Sequence, residues 1–87
     1  MAAEVKIYTR EYCGYCTAAI SLLRTKGVAF EEIDTSGDDK TRRWLATETR
    51  QSTVPQIFID GKPVGGFSDL RALDQRGELD ALLAGTR

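Results

Sequence analysis

The chain has 87 residues, 41% of them hydrophobic and 29% charged, which suits one small globular domain over residues 1–87 and leaves no apolar run long enough to span a bilayer. Its formal net charge is −1 and its acidic and basic residues are interleaved, which excludes the basic surface expected for binding nucleic acid or an anionic membrane. It has no histidine and two cysteines, which excludes histidine acid–base catalysis and a structural zinc site formed by this chain alone.

The first predicted elements are a strand and a helix that meet at the two cysteines. Apolar residues alternate over residues 5–9, as on a strand with one buried face. A loop at residues 10–12 follows, and from Cys16 to Leu23 the apolar residues recur at helical spacing, with Gly27 as a stop signal. The cysteine pair therefore lies at a strand-to-helix junction.

The rest of the chain predicts three more strands and three more helices. They are a strand at residues 28–33, a mostly exposed helix at residues 38–50, a hairpin of residues 56–59 and 62–65 around Asp60 and Gly61, a helix N-capped by Ser68 or Asp69, and a last short helix after Gly77. A β-α-β crossover implies a parallel pair, and the hairpin adds antiparallel strands. We therefore predict an α/β fold, a four-stranded mixed sheet with helices on both faces, in which Pro63 marks an edge strand.

A Cys-x-x-Cys motif at the start of a helix is the layout of a thiol–disulfide redox site. The free N–H groups and the dipole at a helix N-terminus stabilise a thiolate. Cys13 lies nearest that terminus and is the predicted nucleophile, whereas Cys16 lies one turn further on the buried face and is the predicted resolving thiol. A structural disulfide is the alternative, but a loop of about four residues would stabilise the fold by only about 2 kcal/mol.

Two neighbours of the cysteines each have two interpretations. Arg10 would add positive potential near Cys13, or it is a solvated loop arginine. Tyr15 would flank a substrate, or it is an ordinary loop tyrosine with its hydroxyl in water.

Four segments resemble the dithiol glutaredoxins, and they are spaced as in the small bacterial members over nearly the whole chain. The segments are Ile7-Tyr8-Thr9, Cys13-Gly14-Tyr15-Cys16, Thr53-Val54-Pro55-Gln56-Ile57-Phe58-Ile59 and Gly65-Gly66-Phe67-Ser68-Asp69-Leu70. The resemblance implies a thioredoxin-like fold and an enzyme, a glutathione-dependent thiol–disulfide oxidoreductase that reduces protein disulfides and glutathione mixed disulfides. It also implies that Pro55 is a cis-proline facing the cysteines.

The same resemblance implies a glutathione site around the nucleophile. The residues assigned to it are Arg10, Tyr15, Arg42, Thr53, Val54, Pro55, Gly66, Phe67, Ser68 and Asp69. The Val54 backbone would pair with the glutathione cysteine as an added strand does. The N–H groups of residues 66–69 would bind the γ-glutamyl carboxylate at a helix start. Asp69 would hold the γ-glutamyl ammonium or cap the helix. Arg10 and Arg42 would bind the glycine carboxylate, with Arg43 and, more weakly, Gln51 as competitors.

Three positions depart from the family pattern. Gly14 replaces the common proline, which should alter the stiffness of the loop and the stability of the thiolate. Arg10 stands where lysine is common, which keeps the charge but changes hydrogen-bond geometry. Phe67 occupies a position that is often cysteine.

Two other functions stay open at this stage. The resemblance implies one of them: some glutaredoxins without proline at the Gly14 position hold a [2Fe–2S] cluster between two subunits, with glutathione as co-ligand, and here Cys13 would be the ligand. Otherwise we expect no metal and a monomer. A thioredoxin-type reductase is disfavoured because Tyr12 stands where thioredoxins carry tryptophan before the first cysteine. The first residues carry no apolar signal segment, so we expect a cytoplasmic location. The expected partners are glutathione and proteins that carry disulfides or bound glutathione.

Overall fold

The computed structural model describes residues 3–85 and contains eight helices and strands in that range. They are β1 (Val5–Thr9), α1 (Gly14–Thr25), β2 (Glu31–Asp34), α2 (Asp39–Thr49), β3 (Gln56–Ile59), β4 (Lys62–Gly65), α3 (Phe67–Gln75) and α4 (Leu79–Ala84). Between residues 3 and 85, no helix has the length and apolar character needed to cross a membrane.

The four strands form one mixed sheet in the order β2-β1-β3-β4. β1 pairs in parallel with β2 and antiparallel with β3, and β3 pairs antiparallel with β4. The tight hairpin between β3 and β4 forms because Asp60 and Gly61 both adopt positive φ, 52° and 78°. The predicted mixed sheet, its parallel first pair and the edge position of the Pro63 strand are confirmed.

One face of the sheet carries the main core. Ile7 of β1 and Ile57 of β3 lie opposite each other in the antiparallel ladder, and both are fully buried. They pack with Leu23 of α1, Leu70 of α3 and Leu79 of α4 in a single cluster. α1 and α3 therefore lie in the same layer on one face of the sheet.

The opposite face carries α2 and an aromatic group. Tyr8 and Phe58, whose side chains alternate with the core residues, contact Trp44 of α2 at ring-centroid distances of 5.7 and 5.8 Å. Leu45 is the buried anchor of α2, whereas Trp44 is 44% exposed. Helices therefore cover both faces, as predicted.

The second strand is shorter than the sequence predicts. It begins at Glu31, where pairing with Lys6 of β1 starts, and not at residue 28. Val28 and Phe30 pack against the core from the segment before the strand. Their apolar character reflects burial, which a segment can achieve without joining the ladder.

The N-cap of α3 also differs from the prediction. Gly66 is the N-cap, with extended backbone at φ −90° and ψ −165°, so Ser68 and Asp69 lie inside the first turn. Asp69 Oδ2 accepts a hydrogen bond from the Gly66 backbone N–H at 3.1 Å. Asp69 therefore satisfies a backbone donor at the helix start from the third helical position instead of from the cap.

Candidate active site

The N-terminus of α1 holds the first cysteine. Cys13 is the N-cap, and its Sγ accepts a hydrogen bond from the Cys16 backbone N–H at 3.2 Å. The preceding loop is tied down by the Glu11 N–H, which donates to Ser36 Oγ at 2.8 Å beyond β2. Within the described chain, the first turn of α1 contains no acidic side chain. The positive end of the helix dipole and a backbone N–H therefore face the Cys13 sulfur.

Cys16 lies in a different environment from Cys13. Its side chain is 3% exposed and belongs to the buried face of α1. Burial is the main cause that raises the pKa of the Cys16 thiol from an ordinary 9.0 to about 12, with a further contribution from the hydrogen bond to Cys13. Cys16 is therefore a protonated thiol at neutral pH, which suits a resolving group and not an initial nucleophile.

The raised pKa of Cys16 makes a prediction about stability at high pH. Between about pH 9 and 12 the folded chain keeps the Cys16 proton while the unfolded chain releases it, so the free energy of unfolding falls as the pH rises. Urea unfolding of the reduced protein, repeated over about pH 8 to 11, measures this slope. The Cys16→Ala variant retains every other titrating group and should lose less stability over that interval. If the free energy of unfolding fell equally steeply with pH in both proteins, Cys16 would not be a buried, protonated thiol.

The loop before β3 faces Cys13. The Val54–Pro55 peptide bond is cis, as the resemblance implies, and Pro55 is buried. The Cys13 thiol donates to the Val54 carbonyl, with Sγ and O 3.7 Å apart. This contact places the cis-proline loop directly beside the predicted nucleophile.

The start of α3 completes the other side of this region. Gly66 approaches Pro55 so closely that a Cβ on Gly66 would lie 3.4 Å from the Pro55 carbonyl oxygen. At Gly65, where φ is +121°, a Cβ would lie only 2.8 Å from Cγ of Asp69. Glycine at position 65 therefore suits the positive φ and leaves room for the Asp69 side chain, and Gly66 lies next to the cis-proline loop.

A cleft of about 350 Å³ runs between the loop and α3. Its lining residues are Tyr15, Gln51, Thr53, Val54, Pro55, Gly66, Phe67, Ser68 and Asp69. The Tyr15 and Phe67 rings stack at 6.2 Å between centroids, inclined by 28°. Tyr15 is 67% exposed. The stacked pair therefore joins α1 to α3 at the cleft.

Eight of the ten residues assigned to the glutathione site line this cleft, and the two arginines do not. Arg10 is exposed in the loop after β1. Arg42 lies on α2, where its Nη1 is 3.6 Å from Asp39 Oδ1, and it borders a separate depression with Arg43. Gln51, the weaker candidate from the sequence, lines the cleft instead. The roles of Arg10 and Arg42 stay predictions.

Sequence reasoning missed one residue behind the cleft. Gln56 is fully buried, and its Nε2 donates to Gln51 Oε1 at 3.0 Å and to the Thr53 carbonyl at 2.9 Å. The signal in the sequence was that Gln56 is a polar residue at the start of an otherwise apolar strand.

Known proteins resemble this chain in sequence and in structure. A glutaredoxin family model matches residues 5–64. Glutaredoxin 3 of Escherichia coli (strain K12) is 49% identical over 81 residues, which cover 93% of this chain and 98% of the relative. The solution structure of glutaredoxin from Brucella melitensis is 43% identical, with a TM-score of 0.88 over 99% of this chain and 94% of that one.

A second similar structure contains a ligand. The crystal structure of a buckwheat glutaredoxin–glutathione complex has a TM-score of 0.90 at 28% identity, over 95% of this chain and 78% of that one. These similarities indicate the same family as the cysteine pair at the α1 N-terminus and the cis-proline loop. The chain belongs to the glutaredoxin family and is an enzyme with that family's general function, glutathione-dependent thiol–disulfide oxidoreduction.

Proposed function

We propose that the enzyme removes glutathione from mixed disulfides with Cys13 as nucleophile, while the cleft between the cis-proline loop and α3 binds the glutathione half. The observation that carries this proposal is the 3.7 Å contact between Cys13 Sγ and the Val54 carbonyl. It joins the nucleophile to a cleft whose opposite wall is a helix N-terminus. The complex of the buckwheat glutaredoxin with glutathione supports the choice of ligand.

The reaction consists of two thiol–disulfide exchanges. The Cys13 thiolate attacks the glutathione sulfur of the mixed disulfide, a Cys13–glutathione disulfide forms, and the substrate thiolate leaves. The thiolate of a second glutathione then attacks the glutathione sulfur of that intermediate. This step releases oxidised glutathione and returns Cys13 to the thiolate. The net reaction converts one mixed disulfide and one free glutathione thiol into one substrate thiol and one oxidised glutathione, so the electron pair that reduces the substrate comes from that single glutathione thiolate.

The cleft offers a partner for each end of the γ-glutamyl group. Backbone N–H groups at the start of α3 are suited to its carboxylate, because a helix N-terminus favours an anion. The Asp69 carboxylate is suited to its ammonium. The Val54 carbonyl accepts from the Cys13 thiol in the reduced protein. Once Cys13 has become part of a disulfide, that carbonyl is available to the backbone N–H of the glutathione cysteine.

Protein disulfides take a second route. Cys13 attacks one sulfur of the substrate disulfide and forms a mixed disulfide with the protein. Cys16, one helical turn away, then attacks Cys13 Sγ and releases the reduced substrate, which leaves a Cys13–Cys16 disulfide. Two glutathione molecules reduce that disulfide. Because every residue in both routes comes from one chain, we propose that a monomer acts, in a reducing compartment such as the cytoplasm.

Substitution of Asp69 tests the glutathione site. Asp69→Asn retains an oxygen that can accept from the Gly66 N–H but loses the charge that faces the γ-glutamyl ammonium. We expect the KM for a glutathionylated peptide to rise about tenfold, as for a lost charge-assisted hydrogen bond, with little change in the free energy of unfolding. The glutathione-coupled assay measures this.

Asp80→Asn is the matched control for the charge, since Asp80 is an exposed acid on α4 that pairs with Lys26. Its KM should equal that of the wild type. If Asp69→Asn also left the KM unchanged, the γ-glutamyl group would not bind at the start of α3.

The cluster-binding alternative needs ligands from outside this chain. A [2Fe–2S] cluster takes four ligands, and residues 3–85 contain no group of three or more acids or cysteines that could hold a metal. Cys13 is half-buried and accessible, whereas Cys16 is buried. Anaerobic reconstitution with iron, sulfide and glutathione, followed by visible absorption and sizing, tests for a bridged dimer.

A further inference from the structure

Gln56 is a buried amide at a position where the strand is otherwise apolar. It opens β3, its side chain is fully buried, and the three residues that follow are isoleucine, phenylalanine and isoleucine. Its Oε1 is buried, and no partner for it exists within residues 3–85. An unpaired buried oxygen costs free energy. The stabilising hydrogen bonds of this side chain are therefore those that its NH2 group donates.

The hydrogen bonds fix which way the amide faces. Gln56 Nε2 carries two hydrogens, and it donates to the Thr53 carbonyl at 2.9 Å and to Gln51 Oε1 at 3.0 Å. A backbone carbonyl can only accept, so the nitrogen must face Thr53 and the amide cannot be reversed. The Gln51 oxygen must then accept this hydrogen bond, so the Gln51 NH2 group points away from Gln56.

The position of Gln51 in the cleft indicates which part of glutathione its NH2 group would meet. The Pro55 carbonyl oxygen lies near Gly66 at the start of α3, and Val54, Thr53 and Gln51, which precede Pro55 in the chain, line the same cleft. If the γ-glutamyl group binds at α3 and the cysteine beside Val54, the glycine of glutathione falls toward Thr53 and Gln51. Neither Arg10 nor Arg42 lines this part of the cleft.

We propose that Gln56 is a positioning residue for glutathione: it orients Gln51 so that the Gln51 amide NH2 binds the glycine carboxylate, and it fixes the Thr53 carbonyl next to Val54. This inference rests on the glutathione site proposed above. Specificity for the glycine end then comes from the neutral amide of Gln51, which the buried amide of Gln56 holds in place. The surrounding loop supports this arrangement, since the Gln51 backbone N–H is itself bound by Thr49 Oγ1 at 3.2 Å.

The test compares two peptide substrates and four variants. One peptide carries glutathione in a mixed disulfide, and the other carries γ-glutamylcysteine, which lacks the glycine. The variants are Gln51→Ala, Gln56→Met, their double combination, and Ile59→Val as a buried control on the same strand. The measurements are KM, kcat and the free energy of unfolding in urea.

We expect Gln51→Ala and Gln56→Met each to raise the KM for the glutathionylated peptide about fivefold, with kcat nearly unchanged. The double variant should be no worse than the more affected single one, because both remove the same contact. With the γ-glutamylcysteinyl peptide, all of these proteins should have similar KM values. Ile59→Val should lower stability and leave both KM values as in the wild type.

Three outcomes would overturn the inference. They are an unchanged KM in Gln56→Met, an equal rise on both peptides, and additive effects in the double variant. A wild-type protein that failed to turn over the glutathionylated peptide would instead contradict the proposed function itself, so the two failures are distinguishable.

Discussion

Replacing Cys13 with serine is expected to reduce turnover of both mixed disulfides and protein disulfides by at least about 1,000-fold, because the hydroxyl of serine does not supply the attacking anion. The fold should survive this change. Cys13 is the N-cap of α1 and binds the Cys16 N–H through Sγ, and serine is among the preferred N-cap residues. The free energy of unfolding should therefore stay within about 1 kcal/mol of the wild-type value. Initial rates in the glutathione-coupled assay, together with urea unfolding curves, measure the two effects.

Thr17→Ser serves as a control for Cys13→Ser. Thr17 is exposed in the same helical turn and donates from Oγ1 to the Cys13 carbonyl at 3.3 Å, a contact that serine can keep. It should retain full activity. A Cys13→Ser protein that was folded and still active would show that another group attacks the substrate.

Replacing Cys16 with serine is expected to separate the two activities. Removal of glutathione from a mixed disulfide should continue near the wild-type rate, since that route uses Cys13 alone. Reduction of a protein disulfide should fall by at least about 100-fold, because a thiol held one turn away is replaced by a thiol that must arrive from solution. Parallel assays with a glutathionylated peptide and a disulfide-bonded protein measure both rates.

Stability needs attention in this experiment because Cys16 is buried. A hydroxyl at this position, with 3% exposure, should cost about 1–3 kcal/mol. Cys16→Ala avoids that penalty and should give the same separation of activities. If both variants lost both activities while folded, Cys16 would take part in the first exchange and the division of roles between the cysteines would be wrong.

Most of the fold could be predicted because short-range patterns determine it. Alternation over β1, helical spacing after Cys16 and the Asp60–Gly61 turn each depend on neighbouring residues, and each appears in the structure. The start of β2 could not be placed, because Val28 and Phe30 are apolar for packing and not for pairing. The N-cap at Gly66 was also missed, since its role depends on Asp69 reaching back from the first turn.

The candidate site divides in the same way. Its segments were found by motif, and the structure brings residues 53–55 and 66–69 together in one cleft. The hydrogen bond from Gln56 to Gln51 joins two side chains across a loop, which no local pattern encodes. The stacking of Tyr15 on Phe67 joins residues from two helices that meet only in the folded chain. The family resemblance assigned the two arginines to the glycine carboxylate by their positions, and in the structure α2 places Arg42 at a separate depression.

The most direct test of the central claim is a single turnover of the Cys16→Ser protein with a glutathionylated peptide and no free glutathione. After digestion, mass spectrometry locates the group bound to the protein, and thiol titration measures the released peptide. We expect one glutathionyl group on Cys13 and an equal amount of free peptide thiol. Attachment of the peptide to Cys13 with release of glutathione, or no label on Cys13, would contradict a cleft that binds glutathione beside the nucleophile.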